Sequence, residues 1–142
     1  VGRNQFGLVF TNAKVSIGDV PNRPTRPICI KISSNKVFLV WEAPEFNGNS
    51  DIISYKIDYK ASDDLKWSNA LYTVKESCVV RNLKANTKYR FRVSCINSIG
   101  MSPFSLASQE IKTSEASDKD ENDLFIEKLE EENTFFNDNA LE

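Results

Sequence analysis

The sequence predicts an all-β fold, a seven-stranded antiparallel β-sandwich. Three observations carry that prediction. Apolar and polar residues alternate at a period of two, most clearly in YRFRVSCI, where Tyr89, Phe91, Val93 and Cys95 oppose Arg90, Arg92 and Ser94. Turn signals such as EFNGNSD and NSIGMSP recur at intervals of roughly ten residues. Between Ile28 and Thr113 no apolar stripe at helical spacing interrupts the strand-like runs. Short strands at regular spacing without intervening helices close as an antiparallel sandwich or barrel.

The elements follow in order. PNRPTRP, with Pro21, Pro24 and Pro27, excludes a helix or a central strand and reads as an extended linker. ICIKI places Ile28, Ile30 and Ile32 inward, and VFLVW places Val37, Leu39 and Trp41 on one face. Pro44 stops that strand and Gly48 permits a turn in the loop that follows. ISYKIDY sets Ile53, Tyr55, Ile57 and Tyr59 on one face, and SDDLKW turns into a short strand with Trp67. CVVRNL contributes Cys78, Val80 and Leu83; YRFRVSCI follows, then the turn NSIGMSP, and FSLASQEIKT is read as the final strand. Arg90 and Arg92 indicate that one face of their sheet meets water.

Composition bounds the function. The 142 residues are 40% hydrophobic, enough for one domain with a core, and no apolar run reaches the length of a membrane span. The start, VGRNQFGLVF, lacks the features of a secretory signal peptide. The net charge of −2 conceals an asymmetry: from Ser114 onward there are 11 acidic residues and 2 lysines, so the remainder is basic; the tail is read as solvated, the alternative being that it folds back on the basic body or occupies a basic partner. Those basic residues are scattered without a recognition motif, and no nucleic-acid partner is expected. The chain has no histidine and no phosphate-cradling glycine motif, and its carboxylates cluster in the tail. No catalytic residue, cofactor or metal site is therefore expected, and the chain is read as a non-enzyme. Cys29, Cys78 and Cys95 form no CxxC pair and are expected as buried free thiols. No Asn begins an N-x-Ser/Thr signal. Both points lean towards a reducing compartment.

Pro24 and Pro27, Trp41 in VFLVWEAP, NGNSDIISYKIDYK, and NLKANTKYRFRVSCINSIGMS together resemble a fibronectin type III domain over Pro24 to Thr113. The resemblance implies a structural core of Trp41, Tyr55, Leu83, Tyr89, Phe91 and Val93, with Tyr89 as a tyrosine corner whose hydroxyl bonds upstream backbone. An Arg-Gly-Asp tripeptide is absent from the turn at Asn97, Ser98, Ile99, Gly100 and Met101. That turn is instead a candidate adhesive patch through Ile99 and Met101, the alternative being ordinary turn packing.

Residues 1–20 resemble the closing strands of an immunoglobulin-like domain, with Asn4 and Gly7 in its last tight turn, the alternative being a flexible leader whose residues merely alternate. Residues 21–113 then form the type III domain, and residues 114–142 are expected to be an acidic, mostly disordered linker. Within the linker, Phe125, Leu129 and Phe136 with a capping Asp123 suggest a short docking helix as the alternative. The order of modules is similar to the tandems of giant muscle and cytoskeletal proteins such as titin, twitchin, obscurin and the myosin light-chain kinases. That similarity implies a cytoplasmic spacer and interaction module whose partners are filament or cytoskeletal components and neighbouring domains, with any kinase beyond Glu142. A fragment of an extracellular adhesion receptor is the alternative.

Overall fold

A computed structural model describes residues 18–116 and 121–140, with side chains of the C-terminal helix described from Asn122 to Glu131. The expected immunoglobulin-like piece lies outside the described residues, apart from Gly18, Asp19 and Val20. Seven strands run in the order β1 (Ile28–Ile32), β2 (Val37–Val40), β3 (Ser54–Ala61), β4 (Ser68–Thr73), β5 (Ser77–Val80), β6 (Lys88–Ile96) and β7 (Ile111–Lys112), followed by α1 (Glu121–Ala140). They form an antiparallel three-stranded sheet, β1-β2-β5, and an antiparallel four-stranded sheet, β4-β3-β6-β7.

The core between the sheets is made by inward positions of both. Val37, Leu39, Cys78 and Val80 come from one sheet; Tyr55, Ile57, Tyr89, Phe91, Val93 and Cys95 come from the other; Trp41 and Leu83 lie just outside strands. The Trp41 indole meets the Tyr55 ring edge-on, with centroids 5.5 Å apart and planes at 68°. Its Nε1–H is buried without a hydrogen-bond acceptor. The Tyr89 hydroxyl accepts a hydrogen bond from the Lys84 amide at 2.8 Å, which ties the start of β6 to the chain five residues upstream.

Four sequence expectations change. Ile28 and Ile30 are 63% and 49% exposed rather than inward, because the β1–β2 register shifts between Cys29 and Lys31; Cys29 and Ile32 face the core instead. Ile53 is 55% exposed, since it precedes β3 at the rim, where its amide donates to Ile96 O and no opposing sheet covers its side chain. The expected final strand contains a ladder only at Ile111 and Lys112. Ahead of it, Ser102, Ser105 and Ser108 run beside β6 at a spacing of three, each amide donating to a β6 carbonyl and each hydroxyl accepting a β6 amide. The fourth change is the tail: where a mostly disordered linker is expected, α1 spans 20 residues and packs on the β1-β2-β5 sheet.

The reason α1 docks is readable in burial. Phe38 and Val79 occupy outward positions of β2 and β5, yet both are buried because Ile126 seats against them, with Val40 and Leu129 at the edge of the contact. Ile126 is 0% exposed. The candidate anchor Phe125 is 44% exposed and instead lies under the Lys31 ammonium, 5.0 Å from its ring centroid. Phe136 carries no described side chain.

Candidate functional site

Three chain segments converge at one end of the sandwich: the leading segment from Gly18 to Val20, the loop at Asn47 and Gly48, and the turn Asn97 to Met101. Asn97 joins them. Its side-chain amide donates to Asp19 O at 2.7 Å and to Asn47 O at 2.9 Å. Its Oδ1 accepts the amides of Ile99 and Gly100 at 2.9 and 3.0 Å, and its own amide donates to Gly100 O. A buried primary amide with both acceptor and donors engaged satisfies the turn's backbone as well as itself.

Gly48 makes this approach possible. Its φ is +80°, and a Cβ there would stand 2.0 Å from Asp19 O and 2.7 Å from Asn97 Nδ2. No side chain fits between the loop and the leading segment.

The five turn residues therefore separate in role. Asn97 is 2% exposed, and its polar atoms are turned inward. Ser98 is exposed and shares a hydrogen bond with Ser50, 2.9 Å between hydroxyls. Ile99 is 55% exposed, but its Cδ1 is 3.0 Å from the point where a Cβ on Gly18 would stand, so the leading segment covers part of it. Gly100 faces the Val20 methyl in the same way, at 3.2 Å. Met101, 44% exposed, bridges back to Ile96. Phe46 and Ile53 add further exposed apolar area. The surface offered at this end sets these apolar side chains among exposed Asp19, Asn47, Asn49, Asp51 and Ser98, and belongs jointly to the turn, the loop and the segment that leads into the domain.

The opposite end holds the exit. Ser114 N–H donates to Ser33 O, and Asn86 N–H donates to Ser114 O. From there α1 returns along β1-β2-β5 under a set of ion pairs. Lys36 Nζ lies 2.9 Å from Asp123 Oδ1 and 2.6 Å from Glu127 Oε2. Arg81 grips Glu127 with both terminal nitrogens, at 2.6 and 3.1 Å, and also reaches Glu130. Asn122 donates to Ile32 O and Ser33 Oγ donates to Asp123. The Arg81 guanidinium and then the Lys36 ammonium hold the Glu127 carboxyl down to about 2. Arg81 is raised by its hydrogen bond to Glu127. Burial works to lower Lys36, but its bonds to Glu127 and Asp123 outweigh it and raise the ammonium above its usual value.

The cysteines offer little chemistry. Cys29, Cys78 and Cys95 are free thiols. Burial pushes Cys29 up to about 11 and Cys78 up to about 12, and raises Cys95 as well, so each is protonated at neutral pH. Among the described residues no three acidic or cysteine side chains converge as metal ligands. No described helix is long and apolar enough to cross a membrane.

The sandwich, the Trp41 core and the Tyr89 corner define a fibronectin-type module. Residues 22–111 match the model of the fibronectin type III domain, and the chain belongs to that family. It is 37% identical over 109 residues to human "Cell adhesion molecule-related/down-regulated by oncogenes", covering 75% of this chain and 8% of that protein. It is 30% identical over 131 residues to chicken smooth-muscle myosin light chain kinase, covering 92% of this chain and 7% of that protein. It is 33% identical over 109 residues to Drosophila melanogaster titin, covering 77% of this chain and 1% of that protein. Among solved structures, titin domains A168–A170 superpose with a TM-score of 0.67 at 31% identity, covering 69% of this chain and 34% of that one. The chain thus spans less than a tenth of each of these three full-length relatives. It is a fibronectin type III module related both to muscle scaffold proteins and to cell-adhesion molecules.

Proposed function

We propose that this chain is a non-enzymatic spacer and interaction module of a multidomain muscle or cytoskeletal scaffold, acting in the cytoplasm. The carrying observation is that the leading segment and the exit are fastened at opposite ends of the sandwich. Asp19 is held by Gly48 and Asn97, and Ser114 by Ser33 and Asn86. A module fixed this way transmits position from the domain before it to the segment after it, as a serial array requires. The end around Ile99 and Met101 supports a neighbour-domain contact, because the leading segment already packs on it. The similarity to myosin light chain kinase over 131 residues extends past the 22–111 match and supports a kinase-bearing parent.

The 37%-identical relative supports a second reading, an extracellular adhesion receptor. An antibody against this chain separates the two. Filament-associated staining that requires permeabilised cells fits the scaffold reading. Labelling of intact, unpermeabilised cells would refute it in favour of the receptor.

A further inference from the structure

The outer surface of the four-stranded sheet carries a ladder of alternating cations and rings. Outward positions on β3 are Lys56, Asp58 and Lys60, and those on β6 are Lys88, Arg90 and Arg92. The register sets Asp58 beside Arg92 and Lys60 beside Arg90, and Lys112 on β7 lies beside Lys88. Arg92 is stacked between two aromatic rings, its guanidinium carbon 4.5 Å from the Trp67 centroid and 3.8 Å from that of Phe104. Lys60 covers the same Trp67 ring at 5.9 Å, and Lys56 covers Phe104 at 5.6 Å. Asp58, 4% exposed, accepts from Arg92 Nε and Nη2 at 3.2 and 3.0 Å and fixes the guanidinium in plane. The sequence Lys60–Trp67–Arg92–Phe104–Lys56 runs across the sheet as one ordered stripe, with Arg90 and Lys88 alongside.

We propose that this surface is a docking site for an acidic segment of a partner protein, one that carries aromatic or aliphatic residues among its carboxylates. Charge complementarity favours that occupant. Along β3 and β6 five cations face a single carboxylate, and that carboxylate is already bonded to Arg92. The stacked rings hold three of the cations in place, so binding does not have to order long mobile side chains. The other sheet displays the same recognition within this chain: Lys36 and Arg81 hold the carboxylates of α1 while Ile126 seats on Phe38 and Val79. Among the described residues no element covers the four-stranded sheet in the way α1 covers its partner. Nucleic acid fits less well, because single-stranded bases need open ring faces for stacking. Here cations occupy both rings: Lys60 and Arg92 on Trp67, Arg92 and Lys56 on Phe104. The inference is independent of whether the parent is a scaffold or a receptor.

The test is an NMR titration of the labelled chain with a synthetic peptide of glutamates interrupted by phenylalanine and leucine, at low salt. The Trp67 indole N–H and the Arg92 Nε–H signals move on binding. A chain carrying Lys56→Gln, Lys60→Gln and Arg90→Gln, shown folded by circular dichroism, binds about tenfold more weakly. A control carrying Arg23→Gln and Arg26→Gln in the exposed leading linker stays within about twofold. Absence of the Trp67 and Arg92 shifts would overturn the proposal, as would equal weakening by both sets of substitutions. So would shifts centred on Lys36 and Arg81, which would mean that the peptide displaces α1. A heparin oligosaccharide or a single-stranded oligonucleotide binding the same signals as tightly as the peptide would likewise reject an acidic polypeptide as the specific occupant.

Discussion

Ser105 and Val93 are joined twice: the Ser105 amide donates to the Val93 carbonyl at 2.7 Å, and the Ser105 hydroxyl accepts the Val93 amide at 3.0 Å. Ser102 repeats the arrangement on Cys95 and Ser108 repeats it on Phe91. Hydroxyls thus replace the carbonyls that a regular strand would offer, and β6 stays satisfied along an irregular neighbour. Ser105→Ala leaves the buried Val93 amide without its acceptor, at a cost of ~1–3 kcal/mol. A urea melt measures it as a lower midpoint with an unchanged slope; Ser105→Ala at wild-type stability contradicts the role.

The docking of α1 depends on pH through Glu127. Its carboxyl is lowered from 4.5 to about 2 in the folded chain, so its contribution is complete above the ordinary carboxylate range and is lost as pH falls through about 2. Because Glu127, Arg81 and Glu130 are all more than a third exposed, that contribution is ~1 kcal/mol or less. Far-UV circular dichroism of Ile126→Asp, which strips the apolar anchor, should show lost helix over an intact β-sandwich. In that variant the residual helix signal should no longer change between pH 5 and pH 2 with the profile expected of Glu127.

Gly48→Ala and Asn97→Ala attack the same junction differently. The alanine methyl at position 48 meets Asp19 O at 2.0 Å and forces the leading segment away. Asn97→Ala removes the amide that holds Asp19, Asn47, Ile99 and Gly100. Each costs ~1–3 kcal/mol. The double variant loses less than the sum, because both release one contact. Full additivity in a thermodynamic cycle would separate the two sites.

Trp41→Ala removes the largest ring of the core and should cost ~3–5 kcal/mol. Tyr89→Phe keeps the ring but orphans the Lys84 amide, and should cost ~1 kcal/mol. Chemical denaturation ranks the two, and a Tyr89→Phe penalty as large as that of Trp41→Ala would mean that the hydroxyl carries more than a single bond.

The legible part of the fold was the part set by alternation. Tyr89, Phe91 and Val93 face inward because β6 is regular, and Trp41 and Leu83 are buried beside them. Ile28 and Ile30 misled because a single shift of register reverses a side-chain pattern, and nothing in ICIKI marks the shift. Phe38 and Val79 fall on what should be a wet face; their burial is decided by Ile126, almost fifty residues beyond Val79. The helix shows in the sequence as an acidic tail opposite a basic body and as a few apolar residues among the acids; of those, Leu129 packs at the contact, while the buried anchor is Ile126 rather than the bulkier Phe125. The serine spacing of three is present in SPFSLAS, but it departs from the period of two that marks a strand. Asn97 looked like a turn residue open to a partner, and only the approach of Asp19 and Asn47 turns its amide inward.

The leading segment is stitched to the loop beside it at every third residue: the amides of Asp19, Asn22 and Thr25 donate to Gly48, Phe46 and Glu42. Asn97 doubles the first stitch through Asp19 O, and the Glu42 amide doubles the last by donating to Thr25 Oγ1. The way into the domain is thus hemmed along its length before β1 begins, and the direction from which the chain arrives is set by backbone pairing rather than by a free hinge.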